Sequence, residues 1–82
     1  MKTVLSPRAR RYLQRLNEPE KSRIIKALNK LELEPPQGDI KNLTGEDGYR
    51  LRVGSYRVLF GVKSDIIVIT DIAPRGQVYK GR

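Results

Sequence analysis

The stretch that most limits what this chain can fold into is YRLRVGSYRVLFGV, Tyr49–Val62, where apolar and arginine side chains alternate on either side of a Gly-Ser pair. A period of two marks strands with one buried face. Gly54-Ser55 is a two-residue connection with glycine first, which suits a type II′ hairpin. A loop that short fixes register. Val53 then faces Tyr56, Arg52 faces Arg57, Leu51 faces Val58 and Arg50 faces Leu59. Tyr49, Leu51, Val53, Tyr56, Val58 and Phe60 share one face, and Arg50, Arg52 and Arg57 share the other.

The apolar face is expected to meet the rest of the core and the arginine face to point to solvent. Like charges directly opposite one another destabilise a sheet. Guanidinium groups about 6 Å apart repel by roughly 2–3 kcal/mol at an effective dielectric near 20, and by under about 1 kcal/mol in bulk water. Folding gains nothing from this pairing. A phosphate between the groups reverses the sign through charge-assisted, often bidentate, hydrogen bonds. The competing reading is a solvated charged face, its arginines neutralised by carboxylates such as Asp65 or Asp71.

The first half of the chain reads as helices. Lys2–Leu5 is short and partly β-branched, as a first strand requires. Ser6-Pro7 supplies an N-cap and a first-turn proline. Ala9, Tyr12, Leu13 and Leu16 follow at helical spacing, with Arg8, Arg10, Arg11 and Arg15 on the other sides. Asn17-Glu18-Pro19 breaks the pattern. A second helix, from about Pro19 to Glu34, is expected to bury Ile24, Ile25, Leu28 and Leu31, and to run antiparallel to the first. Pro35-Pro36-Gln37-Gly38 ends it. After the hairpin, Lys63-Ser64-Asp65 is a turn and Ile66–Ala73 a further strand, closed by Pro74. The tail RGQVYKGR either adds a short strand or lies over the sheet. The expectation is an α+β fold in the order β-α-α-β-β-β: a helical hairpin packed on a small antiparallel sheet. Residues 1–82 are expected to form a single domain.

Composition narrows the chemistry. The 82 residues contain no cysteine and no histidine. That removes disulfides, thiolate nucleophiles, the usual zinc ligands and the Ser-His-Asp triad. Apolar runs are too short for a membrane span, and MKTVLSPRAR lacks a signal-peptide core, so a soluble cytoplasmic protein is expected. Seventeen Lys+Arg against nine Asp+Glu give a formal charge of +8. Such a balance points to a polyanionic partner, either nucleic acid or an acidic protein. With no metal cage, one reaction suits clustered arginines: attack of an RNA 2′-oxygen on its own phosphate, whose pentacoordinate transition state carries extra negative charge. An aromatic side chain can hold an unstacked base. Tyr49 and Tyr56 fall on the core face and read as packing, which leaves Tyr79 as the aromatic candidate.

The block KNLTGEDGYRLRVGSYRVLF, a following apolar strand and then RGQVY resemble the RelE/ParE toxin superfamily of type II toxin–antitoxin systems, over nearly the whole chain. The resemblance implies a RelE-like, microbial-ribonuclease-like fold and, in the RelE branch, cleavage of messenger RNA in the ribosomal A site. It maps strand basics onto Arg50 and Arg52, the arginine after the turn onto Arg57, and the terminal arginine and tyrosine onto Arg75 and Tyr79. Pro74-Arg75-Gly76 departs from the family's run of adjacent basic residues. Lys41 falls where a phosphate-contacting residue is common, and Lys80 adds a further RNA-binding candidate beside Arg50 and Arg52. Some active relatives carry lysines where Arg50 and Arg52 stand. Arginine does not act as a base, so the agent of proton removal becomes Tyr79, a ribosomal group or no dedicated base. Glu46 and Asp47, in the preceding turn, are less well aimed. The implied partners are a cognate antitoxin, the ribosome and mRNA, with no metal, no cofactor and no membrane. A ParE-type DNA gyrase poison, or a catalytically inactive nucleic-acid-binding relative, would use the same block.

Overall fold

Ser6 closes the first strand and opens the first helix. Its amide donates to the carbonyl of Ile69 at 2.8 Å, the last rung of a strand pair. Its Oγ accepts from the Ala9 amide at 3.1 Å and donates to the Thr70 carbonyl at 3.0 Å. One side chain therefore caps a helix and ties it to the sheet. The computed structural model describes residues 1–45 and 47–75. Its elements are β1 (Lys2–Leu5), α1 (Pro7–Arg15), α2 (Glu20–Leu31), β2 (Asp39–Asn42), β3 (Tyr49–Val53), β4 (Tyr56–Lys63) and β5 (Ile66–Pro74).

The five strands form one sheet in the order β1-β5-β4-β3-β2. β2–β3, β3–β4 and β4–β5 are antiparallel, whereas β1 joins β5 in parallel. The expected α+β architecture is present, with two differences. The sheet is mixed rather than wholly antiparallel. It also has one strand more than expected, because Asp39–Asn42 pairs with Arg52–Tyr49 at the far edge. That segment follows two prolines and carries a single apolar residue, Ile40, so its pairing comes from the neighbouring strand and not from its own pattern.

The hairpin register matches the sequence reading. Val53 pairs with Tyr56, Arg52 with Arg57, Leu51 with Val58 and Arg50 with Leu59. Gly54 has φ +57°, a left-handed value that a leading type II′ residue needs and glycine adopts without strain.

Helix α2 ends at Leu31, three residues earlier than expected. It buries Ile24, Leu28 and Leu31. Ile25 instead lies at the border of that stripe and is 41% exposed. These residues join Ala9, Leu51, Val58, Phe60, Ile67, Ile69 and Ile72 in one core between helices and sheet. Tyr49 and Tyr56 pack against it as expected, Tyr49 stacked on Phe60 at 5.3 Å and Tyr56 edge-on to Tyr12 at 6.5 Å. Just past α2, Glu32 reaches back to β1 and accepts from the Thr3 amide at 2.6 Å and the Thr3 hydroxyl at 3.0 Å. No helix among the described residues is long and apolar enough to cross a membrane.

Both helices lie on one side of the sheet, which leaves its other face without a helix among the described residues. A bulge between β4 and β5 shapes it: Leu59 pairs with Asp71 but Phe60 pairs with Ile69, so Thr70 is the extra residue.

Candidate functional site: an arginine-bearing sheet face

Register across four strands writes out this face as two rows. One runs Lys41, Arg50, Leu59, Asp71; the next runs Asp39, Arg52, Arg57, Ala73. Lys41, Arg50, Arg52 and Arg57 are thus brought together by sheet pairing alone. Lys41 is exposed, and the three arginines are half-buried. This corrects the expectation that the arginines stand out into solvent. Leu59, on the same face, is only 2% exposed, and the Nε atoms of Arg50, Arg52 and Arg57 are sealed from water. The inner part of each of these arginine side chains is therefore covered at this face, as a long stem with a charged head allows.

Among the described residues, two carboxylates lie in the rows of this face, Asp39 and Asp71. Asp39, beside Arg52 in its row, has its Oδ2 3.9 Å from Arg52 Nε, a long ion pair at a part-exposed site that contributes at most about 1 kcal/mol. Asp71, offered by sequence as a partner for the cluster, is instead engaged by Arg8 of α1 at 3.4 Å. Asp65 forms no ion pair among the described residues.

Arg75 is exposed, and its amide donates to the Ser55 carbonyl at 2.7 Å. Its backbone is thereby fixed at the hairpin tip, beyond the Tyr56–Pro74 pair and at the same end of the sheet as Arg52 and Arg57. The readings of Tyr79 and Lys80, and of the tail after Arg75, lie outside the described residues. Glu46 does too.

Three further features escaped the sequence reading. Arg8, Arg11 and Arg15 line a groove of about 520 Å³ between α1 and the end of β5, together with Tyr12 and Asp71. Burial, and then the neighbouring Tyr56 and Asp71, push the Tyr12 hydroxyl above the usual tyrosine range, so it stays neutral. A second groove, of about 340 Å³, is bordered by Arg23, Lys26 and Lys30 of α2 and by Arg52, over Leu51 and Val53. Both basic triplets recur at helical spacing (i, i+3, i+7), the signal that could have found them. The third is a depression of about 510 Å³ at the end of β3 and β4, lined by Leu43, Asp47, Gly48, Leu59, Gly61 and Thr70 among others. Its signal was two glycines, Gly48 and Gly61, at that end of the hairpin.

Comparison with solved structures gives close folds. The RelE toxin structure in the RelB–RelE antitoxin–toxin complex of Methanococcus jannaschii is 22% identical, with TM-score 0.77 over 93% of this chain and 94% of that one. The archaeal RelE–RelB complex of Pyrococcus horikoshii OT3 contains a chain 30% identical, with TM-score 0.73 over 93% and 96%. The intact RelBE complex of E. coli matches at 19% identity, with TM-score 0.74 over 92% and 95%. Comparison with curated protein sequences gave no match. The sequence model described as "ParE toxin of type II toxin-antitoxin system, parDE" matches residues 4–79. Given a family match of that extent and an archaeal relative at 30% identity along nearly its whole length, the chain belongs to the ParE toxin family of type II toxin–antitoxin systems, within the RelE/ParE superfamily.

Proposed function

We propose that this toxin is a RelE-type mRNA interferase, a metal-independent endoribonuclease that cuts messages on the ribosome. The observation that carries the reading is the direct opposition of Arg52 and Arg57, with Arg50 and Lys41 in the adjoining row on the same face. A phosphate between cations so placed is held by charge-assisted, often bidentate, hydrogen bonds.

In the proposed reaction the 2′-oxygen forms a bond to the adjacent phosphorus while the bond to the 5′-oxygen breaks. The products are a 2′,3′-cyclic phosphate and a 5′-hydroxyl. The 2′-proton leaves to a base and the 5′-oxygen gains a proton. Arg50, Arg52 and Arg57 stabilise the charge that builds on the phosphoryl oxygens, with Arg75 approaching from the hairpin tip. None of them serves as the base, since guanidinium keeps its proton. That role falls to Tyr79, to a group of the ribosome, or to no dedicated residue. Lys41 and Lys80 are assigned to backbone binding, and the site of action is the cytoplasm.

A cognate antitoxin is the second proposed partner. The solved relatives are complexes with RelB antitoxins. Here the basic grooves beside α1 and α2 supply charge complementary to an acidic segment that folds on binding.

The matching family's description favours a second reading, a ParE-type gyrase poison. Induced expression separates the two. The interferase reading expects arrested translation with new message ends inside codons and intact chromosomal DNA. DNA breaks with uncut messages would contradict it and select the gyrase reading.

A further inference from the structure

The depression at the end of β3 and β4 is adjacent to the arginine rows and is unlike them in chemistry. Gly61 lies two residues beyond Leu59 on β4 and so on the arginine-bearing face, and Gly48, just before β3 with φ +115°, borders the same depression. A Cβ placed on Gly61 would meet nothing within 4 Å, so open space lies above its backbone, whereas one on Gly48 would stand 3.1 Å from the Phe60 carbonyl oxygen. The floor at Gly61 is therefore bare backbone. Leu43 and the buried Leu59 supply apolar walls. Leu59 is also the residue opposite Arg50, which places the hollow one row, about 7 Å, along the strands from the Arg50 guanidinium stem. At about 510 Å³ it falls in the range of ligand clefts, roughly 300–1,000 Å³.

A part-apolar hollow of about 510 Å³ beside a row of cations has room for one unstacked base. Its polar rim further narrows the occupant. Asp47 presents a carboxylate, which only accepts hydrogen bonds. Thr70 spends its hydroxyl proton on the Leu59 carbonyl at 3.2 Å, leaving that oxygen able only to accept. A rim of acceptors favours a base edge rich in donors.

We propose that the hollow floored by Gly61 receives one base of a single-stranded RNA whose phosphate is held by the arginine rows, and that Asp47 selects bases bearing an exocyclic amino group over uracil. This rests on the RNA-directed reading of the arginine face and adds to it a specificity-determining site. The bulge at Thr70 serves this site by placing its hydroxyl on the rim.

The test is fluorescence-monitored binding of three ribose-phosphate hexamers, bearing cytosine, uracil or no base. Gly61→Leu fills the hollow from a position with room for a side chain, and thermal melting checks that it folds. Wild type is expected to bind the cytosine hexamer about tenfold more tightly than the uracil hexamer, the size of one lost base contact. Gly61→Leu is expected to lose about tenfold on the cytosine hexamer and nothing on the abasic one. Asp47→Asn, an exposed loop change, is expected to erase the cytosine preference without weakening abasic binding. Equal losses on all three hexamers, or wild-type affinity and preference in both variants, would overturn the base site while leaving the arginine face intact. Absence of RNA binding by the wild type, or binding untouched by Arg50→Ala, would overturn this base site, while cleavage on programmed ribosomes decides the reading of the arginine face.

Discussion

Arg52 is where residue chemistry matters most. It sits opposite Arg57 on β3–β4, in a row it shares with Asp39. A lysine at that position among other cations can give up its proton and act as a base, whereas arginine keeps its own. Single-turnover cleavage of programmed ribosomes is expected to be faster with Arg52→Lys than with wild type, and the gain should grow with pH as lysine deprotonates. Unchanged or slower cleavage at every pH would contradict the proposal that proton removal limits the reaction. The arginine positions were legible because a two-residue loop leaves no freedom of register. Their half-burial was not legible, since alternation assigns a face but does not say whether a long stem stands up or lies down. Leu59 alone hinted at it: an apolar residue in the arginine set needs cover.

Among the elements, β1 depends on what holds it. It is a four-residue edge strand with a single partner, β5, and its amide edge is met by Glu32. The backbone hydrogen bond from Thr3, followed by that from its hydroxyl, holds the Glu32 carboxyl below the usual glutamate range. A carboxyl whose value is lowered by folding adds stability above its unfolded value, near about 4.3, and loses it as pH falls through the folded one. The denaturant midpoints of wild type and Glu32→Gln should therefore differ most near neutral pH and converge below about pH 4. A gap that stays constant with pH would mean the charge on Glu32 does not matter to the clasp. Elements with internal periodicity were legible: α1 from Ser6-Pro7 and its apolar stripe, β4 and β5 from their apolar runs. Strand β2 was not, because DIKN has neither alternation nor β-branched residues beyond Ile40 and becomes a strand only through β3. Likewise the exposure of Ile25 depends on how α2 is rotated against the sheet, which its sequence leaves open by one position.

At the scale of the molecule, the fold divides labour between two sheet faces. One carries the helices and the main apolar cluster, which in a chain of this length is small and leaves modest stability. The other has no layer above it among the described residues and carries the cation rows, the bulge and the glycine-floored hollow. A charge of +8 is tolerable in such a small domain when an anionic partner is at hand. The architecture could be read from the order of periodic segments. The grooves and the hollow could not, because they arise where elements from distant parts of the chain come together, as Asp47 and Thr70 border one hollow. Cleavage by the cation rows is tested most directly by end-mapping a defined message on purified programmed ribosomes, with wild type and with Arg57→Ala whose thermal melting is unchanged. The expected result is a cut within the A-site codon, leaving a 2′,3′-cyclic phosphate, at a rate at least about a hundredfold lower in the variant, on the scale of removing one group that stabilises transition-state charge. An uncut message with the wild type, or equal cutting by the variant, would contradict it.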